Sequence, residues 1–482
     1  MEETRLSDVN TGGPPGKQGS KRKHQDSWII TVLLIGVLLL GGYFRFIGLN
    51  WDGNFHLHPD ERFLTMVSTA ISFPQGGNGF FDTANSSLNP HNRGYGFYVY
   101  GTLPLFLVRI LGEVLDKTGY DQIHLVGRFS SAAFDLLTVL LVYLIASRLY
   151  RRKRLGLLAA AFSAFAVLQI QLSHYYTVDT FANFFVYLGV YFAIHILTEE
   201  KQGTEFIAVQ QEKQPVEVAK TLWRRLAKDE WENTLPFAGF GLALGMALAC
   251  KISAVPMALI LPAAAYLQFL QMPEPKQKQW SLLTVRNLAL AVLVGFIAFR
   301  IFQPYAFKGP GFFGVGLNQR WLDNLAELSR QSNGDVDFPP ALQWARRPIT
   351  FAWENMVLWG LGLPLGLLAW GGFLWMGWRI LKGEVKKHTL IWGWTAVYFV
   401  WQSLNFSRSM RYQLPVYPTL AIIAAWAVFT LWEFRPITLT QTSVRWITRN
   451  WYRILAGGIG AVVLIATFLW AYAFTQIYQR PV

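Results

Sequence analysis

Apolar stretches recur along the chain from residue 28 to residue 474, and short polar segments rich in Lys and Arg separate them. A helix needs about 20 apolar residues to cross a bilayer, and about eleven stretches approach that length. They lie at 28–48, 123–147, 155–172, 179–197, 235–250, 252–270, 287–304, 357–378, 388–404, 413–433 and 454–474. The pattern predicts an all-α polytopic membrane protein. The 235–270 region is too long for one span and is broken by Lys251 and Pro256, so it reads as a tight pair of short helices.

The polar segments set the expected topology. Residues 1–27 are rich in Gly, Pro and Lys and read as a disordered cytoplasmic tail. The stretch that follows has no small-residue cleavage site and reads as a retained signal-anchor. With the N-terminus inside, the inner loops contain "RLYRRKR", "PEPKQKQ", "RILKGEVKKH" and the basic 435–453 segment. That alternation is the one the positive-inside rule predicts, and an odd number of spans places Val482 outside. One transmembrane domain, 28–482, then carries two long outer loops, 49–122 and 305–356. Within the first, 96–115 is apolar but holds Pro104, Arg109 and Glu113, so it reads as an interfacial helix. No solenoid-type repeat is visible.

Composition agrees with this picture. The chain is 52% hydrophobic and only 15% charged, against about 25% in soluble domains. A net charge of +14 raises the question of nucleic acid, but inner-loop Lys and Arg account for it and no nucleic-acid partner is expected. The single cysteine, Cys250, allows no internal disulfide and leaves the redox compartment open. No Walker-type or Rossmann-type glycine loop is present.

Chemistry concentrates at the outer ends of the spans. "HLHPDERFL" (56–64) admits three readings. Pro59 followed by Asp60 and Glu61 suits a helix start. His56, His58 and Asp60 suit a metal site only in a strand. A carboxylate beside the membrane also suits a catalytic base. Asp179 is a second acid on the same side, and acids near a span tend to mark function. Cations share that face: Lys251 between two short helices, Arg408 and Arg411 in "SRSMRY", and Arg346 and Arg347 before "PITFAWE". Snorkelling explains many such residues. Lys251 sits in a short turn, and Gly241 and Gly245 before it allow close helix packing. Acids and cations at the boundary suit a substrate with a lipid tail, an anionic linker and a polar head, such as a polyprenyl-phosphate sugar. Cations would stabilise the phosphate leaving group and a carboxylate would take the acceptor's proton. Asp135 lies mid-span with Arg128 on the same face. A mid-membrane acid suits a transporter, or it bonds within the bundle, for example to Ser131.

"YFRFIGLNWDGNFHLHPDERF" (43–63) resembles the first outer loop of C-type glycosyltransferases, nearest to the family 39 group, with protein O-mannosyltransferases and lipid A aminoarabinose transferases as relatives. Residues 124–150, "LSHYYTVDTFANFF" (172–185), 241–262 and 407–426 agree with it, so the resemblance covers most of the chain beyond the tail. It implies an inverting transfer from a polyprenyl-phosphate-linked sugar to a protein, lipid or glycan acceptor. The site would be on the extracytoplasmic face of a prokaryotic plasma membrane. It implies Asp60 as the base or acceptor-orienting residue, with Glu61 beside it and Asp179 lining the site as further catalytic acids. Lys251, Arg408, Arg411 and Tyr412 would hold the carrier phosphate, and His58, His174 and Arg346 are further candidates for lining the site. No cofactor is required by this chemistry, and a divalent metal stays open. A soluble outer domain often follows the last span in such proteins; this chain ends where one would begin. Two other readings compete: a lipid-linked sugar flippase or transporter, and a metal-using oligosaccharyltransferase.

Overall fold

A computed structural model describes residues 18–74, 76, 79–199, 234–272, 274–337, 339–434 and 446–480. The described residues are mostly helical, with one isolated antiparallel bridge between Phe307 and Leu317. The helices are α1 (Gln18–Phe46), α2 (Pro59–Ala70), α3 (Thr102–Val114), α4 (Tyr120–Tyr150), α5 (Lys153–Ala164), α6 (Val167–Ser173) and α7 (Asp179–Thr198). There follow α8 (Thr234–Cys250), α9 (Ile260–Phe269), α10 (Glu274–Phe302), α11 (Gln319–Asn333), α12 (Pro339–Leu342) and α13 (Phe351–Asn355). The last are α14 (Leu363–Leu381), α15 (Val385–Leu404), α16 (Tyr417–Glu433) and α17 (Trp446–Thr475).

The apolar stretches read from the sequence fall in helical segments, though 155–172 divides into α5 and α6, and 252–270, 357–378 and 413–433 begin in 3-10 or π turns. Among the described residues, 7 helices are long and apolar enough to cross a membrane, or 8 if the bent pair α5–α6 counts as one. This is the architecture of an integral membrane protein. Helix α1 starts at Gln18, inside the segment expected to be a disordered tail; residues 1–17 lie outside the described residues. The 198–234 and 435–453 segments, expected as inner loops, lie largely outside them too.

The bundle has a buried centre and an apolar rim. Helices α7 and α16 are enclosed on nearly all sides, and α4 packs against α5 and α7. Exposed Leu39, Val292 and Val462 give α1, α10 and α17 an outward apolar face, as expected of helices facing lipid. Gly241 and Gly245 bring α8 against the backbone of α10, where a Cβ would collide with Ala291 and Gly295 carbonyls. The close packing expected of these glycines is therefore present.

The 155–172 stretch is not one straight helix. It bends by 58° between α5 and α6, which frees carbonyls at the break. Arg45 from α1 takes them: Nη1 donates to Ala164 O at 2.7 Å and Nη2 to Ser163 O at 3.4 Å. Irregular backbone at membrane depth is tolerated only when its polar groups are met in this way. The Arg45 Nε also donates to Asp135 Oδ2 at 2.7 Å, and both side chains are fully buried. Gln169 adds a longer bond to Asp135 at 3.4 Å. Asp135 thus bonds within the bundle, but to Arg45 and not to Ser131, whose hydroxyl has no partner among the described residues. An ionised acid needs a cation more than a hydroxyl, and α1 delivers one.

The 49–122 and 305–356 loops are sewn to each other. Thr83 donates to Phe307 O at 2.7 Å, and the Ser86 and Tyr305 hydroxyls lie 2.8 Å apart. The Thr102 amide donates to Gln303 Oε1 at 2.7 Å, and Arg300 lies over the Phe81 ring. Helix α3 has 13 residues, about 20 Å of length, too short to span the roughly 30 Å hydrocarbon core. It occupies 102–114 of the apolar 96–115 stretch, with one face buried.

Candidate active site

Helix α2 starts as its sequence suggests. His58 is the N-cap, with Nδ1 accepting from the Glu61 amide at 3.3 Å, and Pro59 opens the first turn. This places Asp60 and Glu61 side by side on the chain but on different faces. Glu61 turns inward and is fully buried. It accepts from Arg128 Nε at 2.9 Å and from the Tyr176 amide at 2.8 Å, with a further contact to Arg128 Nη2. Arg128 also donates to Asp52 at 2.8 and 3.0 Å and to Leu49 O at 2.7 Å. Burial pushes the Glu61 carboxyl up from its ordinary value, and the Arg128 and Tyr176 bonds offset this only in part. Burial acts on Asp52 likewise, but Arg128 outweighs it and holds that carboxyl low. This cluster pins the first outer loop to α4.

Asp60 turns the other way, toward α7, α8 and the segment before α16. Its Oδ2 accepts from Arg411 Nη1. Arg411 Nε lies 3.9 Å from Asp179 Oδ2, and Asp179 Oδ1 accepts from Lys251 Nζ at 2.7 Å. Lys251 and Arg411 both lie over the Tyr412 ring, at 4.8 and 5.4 Å. The result is a chain of alternating charge: Asp60, Arg411, Asp179, Lys251. It is open to the outside, with Asp60 23%, Arg411 24% and Lys251 29% exposed. Burial would raise the Asp60 carboxyl, but Arg411, through charge and hydrogen bond, holds it below the usual range, with His58 adding to this. Burial also lowers the His58 imidazole, against the pull of Asp60.

Tyr100 joins Asp60 from the first loop. Its phenol is pushed upward by burial and by the Asp60 charge. Next to it, Gly101 donates to Cys250 O at 3.0 Å, and any Cβ there would collide with the Ala249 and Cys250 carbonyls. A glycine is therefore what lets the first loop sit on the Lys251 turn. Below the charges is a cleft of about 340 Å³ including its mouth, lined in part by Asp179, Asn183, Lys251, Tyr398, Arg411 and Tyr412.

The structure thus brings together Asp60, Asp179, Lys251, Arg411 and Tyr412, with His58 beside them. It does not bring the other sequence candidates to this cluster. Arg408 donates to Arg347 O at 2.7 Å and Arg346 is exposed on the second loop. His174 is buried and stacked 3.6 Å from the Tyr478 ring. Tyr100 and Asn183 were not singled out in the sequence; a lone Asn four residues after Asp179 in "DTFANFF" was the available signal.

The metal reading of His56, His58 and Asp60 does not hold. His56 Nε2 lies 3.2 Å from Asp121, His58 caps a helix and Asp60 faces Arg411. Among the described residues no group of three or more His, Cys, Asp or Glu side chains is arranged for a metal ion. Asp60 and Asp179 are the facing carboxylates, and both already hold cationic side chains. This donor set does not fit a resident divalent cation.

Residues 113–209 match the family model described as dolichyl-phosphate-mannose-protein mannosyltransferase. No curated protein matches the chain. Among solved structures, the chain is similar to the oligosaccharyltransferase AglB from Archaeoglobus fulgidus in complex with an inhibitory peptide and a dolichol-phosphate. The TM-score is 0.58 at 14% identity, covering 95% of this chain and 56% of that one. The Archaeoglobus fulgidus oligosaccharyltransferase in complex with Zn and sulfate gives 0.57 at 16% identity, covering 93% and 53%. ArnT from Cupriavidus metallidurans in the apo state gives 0.50 at 14% identity, covering 95% and 76%. The chain therefore spans little more than half the length of the archaeal enzymes. Its helical bundle shares the fold of these solved structures.

Proposed function

We propose that this chain is a membrane glycosyltransferase that moves a sugar from a polyprenyl-phosphate carrier to an acceptor hydroxyl. One observation carries the reading: the Asp60–Arg411–Asp179–Lys251 chain, open at the end of an apolar bundle. Two cations there suit a phosphate, and the apolar surround suits its prenyl tail. The fold similarity supports this, since AglB was captured with a dolichol-phosphate.

The charges suggest an order of events. The donor phosphate competes with the carboxylates for Arg411 and Lys251. Arg411 then turns to the phosphate and leaves Asp60 free as a base. Asp60 takes the acceptor's proton, and the acceptor oxygen forms its bond to the anomeric carbon from the opposite face. The bond from that carbon to the phosphate oxygen breaks, and its electron pair stays on the polyprenyl phosphate. Lys251 and Arg411 stabilise the charge that develops there. The configuration inverts. Glu61, enclosed by Arg128, serves by fixing the start of α2 and hence the aim of Asp60. The reading includes eleven crossings with the N-terminus inside and the site on the extracytoplasmic face of a prokaryotic plasma membrane. The acceptor is a protein, lipid or glycan.

The oligosaccharyltransferase reading gains from the fold but not from the donor set, where Arg411 stands between the two acids. The acid that suggested a transporter, Asp135, is closed off by Arg45. The deciding experiment supplies the purified protein with a panel of polyprenyl-phosphate sugars and follows release of polyprenyl phosphate. Release that requires Asp60 is expected; lipid movement across liposomes without release would overturn the proposal.

A further inference from the structure

Most buried amides in this bundle have found partners. Gln303 Oε1 accepts from the Thr102 amide and hydroxyl at 2.7 and 2.8 Å. Gln169 bonds Ser163 and Asp135 at 3.0 and 3.4 Å. Asn183 differs. It is 1% exposed, and neither its Oδ1 nor its Nδ2 has a partner among the described residues. It lines the cleft below the charged mouth.

Helix geometry explains the placement. Asp179, Asn183 and Val186 are spaced four and three residues apart and share one face of α7. Asn183 therefore lies about 6 Å further along the helix than Asp179, and Val186 continues the wall below it. A polar side chain inside a membrane bundle usually serves as glue between helices. That role needs a partner on a neighbouring helix, and Asn183 has none.

An amide presents a donor and an acceptor together, and a sugar hydroxyl answers both. A phosphodiester offers acceptors only, and a prenyl chain offers neither. Lys251 and Arg411 already provide for phosphate at the mouth. We propose that Asn183 binds a hydroxyl of the transferred sugar and so helps select which sugar is accepted. This rests on the glycosyltransferase reading above.

The test uses the full chain in detergent, polyprenyl-phosphate hexoses and analogues lacking one hydroxyl at a time. Wild type is expected to lose about 10–100-fold in kcat/KM with one deoxy donor, the range of one or two neutral hydrogen bonds. Asn183→Ala should lose a similar factor on the parent donor and treat parent and deoxy donor alike. Its affinity for free undecaprenyl phosphate should be unchanged. Asn183→Ser, which keeps a donor and an acceptor, should restore part of the discrimination and stands in if the alanine variant fails to fold. Retention of wild-type discrimination in Asn183→Ala overturns the assignment. So does loss of undecaprenyl phosphate affinity in step with activity, which would make Asn183 a phosphate ligand. If wild type neither binds nor turns over any donor, the transferase reading itself fails and this one with it.

Discussion

Asp60 and Glu61 are neighbours in the first turn of the same helix, yet the fold gives them opposite surroundings. Glu61 is fully buried and shares Arg128 with Asp52. Asp60 is 23% exposed and meets Arg411, which is itself 24% exposed and also near Asp179. A closed pair has no spare capacity for a ligand, and removing one member strands the other in an apolar setting. An open pair can exchange its partner for a substrate phosphate at little structural loss. Exposure and saturation, more than residue type, separate the acid that holds the loop from the acid proposed to react.

The largest effect expected is on Asp60. Asp60→Asn keeps the shape but removes the proposed base, and turnover should fall by about 10²–10⁴-fold. Its thermal midpoint in detergent should stay near that of wild type, because a partly exposed ion pair contributes little. Normal turnover, measured as polyprenyl phosphate released, would remove Asp60 from the mechanism. Arg128→Met should do the reverse. It leaves Asp52 and Glu61 buried without their cation, a loss of about 3–5 kcal/mol, read as a lowered midpoint. Stability equal to wild type would break the contrast between the two acids.

Much of this was legible in the sequence, for identifiable reasons. Charges at the ends of apolar stretches stand out, so Asp60, Asp179, Lys251 and Arg411 were found, and Tyr412 came with Arg411. The fold class follows from the apolar runs themselves. What failed was pairing over distance. Glu61 looked like Asp60 because the partner that buries it, Arg128, lies 67 residues away. Asp135 was matched to nearby Ser131, while its cation, Arg45, lies 90 residues earlier. The 58° bend between α5 and α6 carries no Pro or Gly in "AFSAFAVLQ" to mark it; tertiary capping by Arg45 sustains it. Asn183 was hidden because an unbonded amide is recognisable only once every neighbour is known.

A smaller effect is expected at Lys251. It bonds Asp179 and shares the Tyr412 ring with Arg411. In Lys251→Ala, one of two cations for the donor phosphate is gone. Binding of undecaprenyl phosphate should weaken by about 10–100-fold, the worth of a charged hydrogen bond. Because the lost contact is to the phosphate and not to the acceptor, the acceptor's KM should hold. Unchanged carrier affinity would place the phosphate on Arg411 alone.

The subtlest comparison is in pH. Arg411 holds the Asp60 carboxyl below its ordinary value of 3.8, against the upward push of burial. For a carboxyl lowered by folding, the stabilisation is present above the unfolded value and is lost as pH falls through the folded one. Asp60 is then ionised throughout the neutral range, and kcat/KM, which reports the free enzyme, should show no acid limb between about pH 5 and 7. Arg411→Gln changes the sign. Burial remains, the opposing charge is gone, and the carboxyl should move up, carrying the acid limb toward neutral pH. A wild-type acid limb near neutrality would mean that another group, such as His58, limits the reaction. An unmoved limb in Arg411→Gln would mean that the contact seen between Asp60 and Arg411 does not set the base, and the open pair would then be as structural as the closed one.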